Sequence, residues 1–207
     1  MIRNTIAIAA VVAMPSLASA LTVQAENDYA TALSMVTPAD SLDLPGTWTA
    51  APLTVAPDAS LGGQYRSPYQ TSGLTAPGYY TVGVGSTYSG TSNPAELALT
   101  SLSNSFSLLW GSPDGYNTLE LYNGATLVGT ILGSQFNIPA QEASFVSIFA
   151  DNESEYFDSV KFYSVNQNAF EFANVSATPV PLPASGLLLV AGLGALAARA
   201  RRKSSDA

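Results

Sequence analysis

Apolar residues that alternate with polar ones, in runs cut by turn residues about every ten positions, constrain this 207-residue chain most. Thr118-Leu119-Glu120-Leu121-Tyr122, Ser159-Val160-Lys161-Phe162-Tyr163 and Ala169-Phe170-Glu171-Phe172-Ala173 each repeat with a period of two, the pattern of a strand with one face buried. The alternation predicts Leu119, Leu121, Val160, Phe162, Phe170 and Phe172 inside, and Glu120 and Glu171 toward solvent. Further strands are expected near 79–84, 95–102, 105–110, 125–132 and 144–149. Ser112-Pro113-Asp114-Gly115, Asn123-Gly124 and Asp151-Asn152 supply turns between them. Asn123-Gly124 is a type I′ hairpin signal that pairs the strands on either side of it. Helical periodicity is confined to 29–36, and 30–77, with its many Pro and Gly, reads as loops and edge strands. Eight or nine short strands at this spacing point to an all-β fold, an antiparallel β-sandwich of jelly-roll-like type. With no Cys in the chain, the core must hold without disulfides. A body of this size buries roughly 68–70% of its surface, which is enough.

The two ends fall outside that pattern. Arg3, an apolar stretch from Thr5 to Met14, and Ala18-Ser19-Ala20 have the three parts of a secretory signal, with cleavage after Ala20. Residues 1–20 are therefore expected to be a signal peptide, and 21–178 a secreted domain that begins at Leu21. At the other end, 179–207 opens on a Pro-rich stretch. An uncharged apolar run over 182–198 follows, closed by Arg199, Arg201, Arg202 and Lys203. As a helix this run is about 25 Å long, slightly short of a ~30 Å hydrocarbon core, and the basic residues reach the interface by snorkelling. These four residues act as a stop-transfer signal and stay in the cytoplasm. The body is then held outside by a single C-terminal transmembrane helix.

This tail resembles the exosortase sorting signal of Gram-negative bacteria, the PEP-CTERM class. Val180-Pro181-Leu182-Pro183-Ala184 is similar to its VPLPA variant, with Leu182 where the parent motif carries Glu. The resemblance implies a membrane-embedded transpeptidase as partner. It also implies transient residence in the inner membrane and transfer to the cell surface or extracellular matrix. The block from Leu109-Trp110-Gly111-Ser112-Pro113-Asp114 through Tyr116-Asn117 resembles an element of exosortase-dependent surface proteins. Phe157-Asp158-Ser159-Val160 and Phe170-Glu171-Phe172-Ala173-Asn174-Val175 are similar to that element's later strands. That group carries no settled biochemical activity.

Composition excludes several chemistries. No His and no Cys means no Ser–His–Asp triad, no thiol nucleophile and no imidazole metal site. Between 21 and 178 only Arg66 and Lys161 oppose fourteen carboxylates, a balance of −12. Such a body cannot neutralise phosphates, so nucleic acid is not a partner. Carboxylates remain as the only catalytic pair, with Asp114, Glu120, Asp158 and Glu171 as candidates. The densest acidic cluster, Asp151, Glu153, Glu155 and Asp158, offers oxygen ligands for Ca²⁺, but its spacing is not that of an EF-hand. A solvated hairpin loop is the simpler reading, with no cofactor. Tyr79, Tyr80, Tyr88, Trp110, Tyr116 and Tyr122 would form a sugar-stacking surface if exposed in a row, although Trp48 and Trp110 suit a core better.

The functional expectation is a non-enzymatic surface or matrix protein with a structural or adhesive role, in contact with extracellular polysaccharide. Its rivals are a lectin-like glycan-binding module and a carboxylate-dependent glycan hydrolase.

Overall fold

The computed structural model describes residues 21–69, 75–136 and 142–181. Ala18 and Ala20, Leu182, Pro183 and Ala184, the apolar run 182–198, and Arg199, Arg201, Arg202 and Lys203 lie outside the described residues. Among the described residues no helix is long and apolar enough to cross a membrane.

In chain order the elements are β1 (Thr22–Glu26), α1 (Tyr29–Ser34), β2 (Gly46–Ala50), β3 (Leu53–Val55), β4 (Tyr79–Val82), β5 (Ala95–Gly111) and β6 (Asn117–Asn123). They continue with β7 (Thr126–Leu132), β8 (Ala143–Phe149), β9 (Phe157–Ser164) and β10 (Phe170–Pro179). Every strand pairing is antiparallel. The fold is all-β and sandwich-like. The helical periodicity at 29–36 yields one short helix. Asp28 caps it, accepting from the Thr31 N–H at 2.8 Å and the Thr31 hydroxyl at 2.7 Å.

The two strands expected at 95–102 and 105–110 are one strand of 17 residues. Ser101 to Ser105 contains neither Gly nor Pro, so nothing there stops the chain from staying extended. β5 changes partners along its length. Its first half lies between β2 and β9, and from Ser105 onward it lies between β10 and β8. The sheet therefore has two arms that share β5. One runs β2-β5-β9-β6-β7, the other β3-β4-β10-β5-β8-β1.

The arms close over a common aromatic core. Phe162 of β9 stacks on Phe172 of β10 at 4.2 Å, and Trp110 stacks on Phe170 at 4.3 Å. Trp48 presents its edge to Tyr80, Phe162 and Phe172. Leu119, Leu121, Val160, Phe162, Phe170 and Phe172 are all fully buried, as the alternation predicts. Such burial stabilises by about 1.5–3 kcal/mol per large side chain.

The hairpin at Asn123-Gly124 forms, but not as a type I′ turn. Asn123 pairs with Thr126, so Gly124 and Ala125 are the turn residues, and among them only Gly124 has positive φ, at 55°. A two-residue turn with positive φ at its first central position alone has the II′ pattern, and glycine meets that demand.

The arm containing β10 is buried on its outer face as well. Tyr79, Leu109, Ala143 and Ala173 point away from the aromatic core and pack with Ala32 of α1, Val55 and Tyr69. Segment 56–69 covers this face, tied down by the Tyr79 hydroxyl donating to Ala59 O at 2.7 Å. The sequence reading places helical periodicity at 29–36 and loops and edge strands at 30–77, without assigning them as a cover for β10.

Candidate functional site

Glu171 corrects the sequence reading. Alternation places it correctly on the face opposite Phe170 and Phe172, but that face is not open to water. Glu171 is only 3% exposed, because segment 60–66 folds over it. On the strand it lies between Thr81 of β4 and Gly111 of β5. A Cβ on Gly111 would sit 3.2 Å from the Glu171 Cβ and 3.1 Å from the Pro68 Cβ, so a glycine there leaves the carboxyl its place.

The covering segment is itself a tight hairpin. Leu61 and Tyr65 exchange two backbone hydrogen bonds, at 2.9 and 3.1 Å, around Gly63 at φ 70°. The Arg66 N–H then donates to Glu171 Oε1 at 2.8 Å. Glu171 Oε2 has no hydrogen-bond partner among the described residues. A buried, unpaired oxygen costs about 1–3 kcal/mol unless something outside the fold completes it.

Glu171 belongs to the lining of an open cavity of about 560 Å³. Gln64, Tyr65 and Arg66 form one side, Asp114 and Tyr116 the other, with Asn168 beside them. The Tyr116 hydroxyl lies 2.7 Å from Asp114 Oδ2 and 2.8 Å from Asn168 O and shares its one proton between them. Asn168 is fixed in turn: its Oδ1 accepts from the Val84 N–H at 2.6 Å and its amide donates to Gln64 Oε1 at 3.3 Å. Asn117 holds the turn from beneath, accepting from the Asp114 N–H and donating to Ala169 O, both at 3.0 Å.

Burial pushes the Glu171 carboxyl up to about 8, and the nearby Asp114 charge adds to the rise. The Arg66 N–H and the Arg66 charge oppose it. At neutral pH this carboxyl is largely protonated, a donor at Oε2 with nothing to donate to. Burial also raises the Tyr88 hydroxyl to about 12 and the Tyr79 and Tyr116 hydroxyls further, so the surrounding phenols stay neutral.

Of the carboxylates named from sequence, Asp114 and Glu171 share this cavity, whereas Glu120 and Asp158 lie elsewhere. Glu120 accepts from the Tyr122 hydroxyl at 2.7 Å, and Asp158 accepts the Gly124 N–H at 3.1 Å with both oxygens. In the acidic loop, Glu155 is buried, its oxygens accepting from the Asp151 N–H at 2.6 Å and the Asn152 amide at 2.7 Å. Asp151 accepts from the Thr22 hydroxyl, and Glu153 is exposed. Among the described residues no group of three acidic, His or Cys side chains converges as a metal site would.

The aromatic row is also corrected. Tyr79, Tyr80, Tyr88 and Trp110 are buried, spent on the core and on the covering layer. Tyr116 alone of the six lines the cavity. Gln64, Tyr65, Arg66 and Asn168 carried no sequence expectation. The available signal was Arg66, one of two cations in an acidic body, three residues after Gly62-Gly63.

No family model matches this chain, and neither a curated protein nor a solved structure does.

Proposed function

We propose that this chain is an exported surface or matrix protein with an adhesive role, and that its adhesion resides in the cavity over Glu171. The export and sorting part rests on the two ends: a signal peptide cut after Ala20, and a tail that an exosortase-type transpeptidase recognises at Val180 to Ala184. The geometry of the described residues agrees with that use. β10 ends at Pro179, and the Val180 N–H donates to Leu102 O at 2.8 Å, so the last strand leads directly into the motif. A jelly-roll-like sandwich is the finer fold in this reading, supported by the way β5 serves both arms.

The binding part rests on one observation: Glu171, almost wholly buried and with Oε2 unpartnered, lines an open polar cavity. Native folds seldom leave such a group unsatisfied without a use for it. A component of the surrounding polysaccharide, bound in lectin-like fashion, would satisfy it. Intact mass of protein recovered from the cell surface tests the first part, with Leu21 as the expected N-terminus and Ala207 absent. Retention of the exported protein on immobilised matrix polysaccharide tests the second, and no retention would overturn it.

Carboxylate-dependent hydrolysis is a second reading, favoured by the meeting of Asp114 and the protonated Glu171 in one cavity, as an acid–base pair requires. Release of reducing ends from the same polysaccharide separates it from binding alone.

A further inference from the structure

We infer that the cavity over Glu171 is a subsite for an uncharged sugar residue, held by one of its oxygens against the unpartnered Oε2. This rests on the reading above that the cavity binds a matrix component, and it fixes the chemistry of that component.

Charge is the first argument. Asp114 and Arg66 bring one charge of each sign to the lining, and the body around them is strongly acidic. An anionic residue would meet Asp114 within a negative field. A cationic residue would have to displace or face Arg66, the cavity's own cation. A neutral ligand meets neither penalty.

Hydrogen bonding is the second. The cavity offers the donors and acceptors that a ring of hydroxyls needs: the Gln64 amide, the Arg66 side chain, the Asp114 carboxylate and the Oε2 proton. Tyr65 and Tyr116 are half-buried rings at the same opening, suited to the apolar face of a sugar.

A pH dependence follows. The groups that face Glu171 are Arg66 and Tyr65 from the covering segment, Tyr79 from β4, Tyr88, and Asp114 with Tyr116 from the turn after β5. The raised phenols at 79, 88 and 116 stay neutral between neutral pH and about pH 9.5, whereas Glu171 ionises. A ligand that fills the cavity deepens the burial of the carboxyl, which disfavours its ionised form, and takes its hydrogen bond from the protonated form. Binding therefore favours protonated Glu171 and weakens as pH rises through about 8.

The test uses the full exported chain in saturation-transfer NMR with methyl glycosides of glucose, galactose, mannose, N-acetylglucosamine, glucuronic acid and glucosamine. At least one neutral glycoside should bind, about tenfold more weakly at about pH 9.5 than at about pH 6.5. In Glu171→Gln, whose amide carries hydrogen at the same place but does not titrate, the ratio between the two pH values should fall to near one. Tyr65→Ala, which removes a half-buried ring of the cavity from the apolar face of the sugar, should lose affinity if the variant at 171 misfolds and cannot be read. Preference for glucuronate or glucosamine, or a flat wild-type profile, would overturn the sugar inference and leave the cavity a binding site. Retention on polysaccharide with no glycoside bound would also overturn this subsite. No retention and no glycoside bound would overturn the proposed adhesion itself.

Discussion

The outer faces of the two arms are built from similar sequence and end in different surroundings. On β9 and β6, Lys161 and Glu120 stand opposite one another beside Glu96 of β5, and all three are part-exposed. On β10, Glu171 occupies an equivalent alternating position and is almost wholly buried. The strands do not differ in pattern; the cover does. Segment 56–69 and α1 lie over one arm, and the other faces water. Strand periodicity reports which side a residue takes, and a distant segment decides what that side meets.

A large effect is expected for a control on the face that both arms share. Phe162→Ala removes the ring that stacks on Phe172 and contacts Phe106, Phe170 and Trp48, at a cost of about 3–5 kcal/mol in denaturant unfolding. A cost below ~0.5 kcal/mol would mean the arms do not close over this core.

Glu171→Gln sharpens the comparison itself. The folded carboxyl is raised to about 8 from 4.5, so between those values the native state holds a proton that the unfolded chain releases. Stability is then greatest below about pH 4.5, falls as pH rises toward 8, and levels off above it. At ~1.4 kcal/mol per unit, the fall between those two values is on the order of 5 kcal/mol. Urea unfolding across pH should show that slope in the wild type and lack it in Glu171→Gln. Glu120→Gln should leave the slope in place.

These contrasts show what the sequence made legible. Leu119, Leu121, Val160, Phe162, Phe170 and Phe172 were readable because burial on one face imposes a period of two. The Asn123-Gly124 hairpin was readable because few residues tolerate positive φ. β1 was not, and β2 and β3 were legible only as edge strands somewhere in 30–77: each is five residues or shorter, and Trp48 is their one large aromatic anchor. The cavity was half legible. Asp114 and Glu171 stood out as carboxylates, and the pairing of Glu171 with Gly111 brings them together, but the cover over them is a hairpin at 61–65 followed by Arg66, whose bond to Glu171 spans 105 residues of chain. Local pattern carries no record of that contact.

A smaller effect is expected at Glu155, which is buried like Glu171 but has both oxygens satisfied by its own loop. Glu155→Ala frees the Asp151 N–H and the Asn152 amide, a cost of about 1–3 kcal/mol in unfolding free energy. Ca²⁺ should leave the wild-type melting temperature unmoved, since the carboxylate that would have to turn toward it is already used. A Ca²⁺-dependent rise, smaller with Mg²⁺, would instead show the loop opening around an ion.

The smallest effect belongs to the open face. Lys161 Nζ lies 3.3 Å from Glu96 Oε2 and 4.8 Å from the centre of the Tyr122 ring, with the ion pair's side chains 27% and 35% exposed. It is the one ion pair seen among the described residues. Exposed pairs gain little, because water screens the charges and two long side chains lose freedom in meeting. The ring contact adds about 0.5–1 kcal/mol at such a site. Lys161→Ala should therefore cost less than about 1 kcal/mol, and the cost should shrink further in high salt, where exposed charges are screened. Equilibrium unfolding at two ionic strengths measures both. A loss above ~2 kcal/mol that ignores salt would mean this face is covered in solution, and the distinction between the two arms would fail.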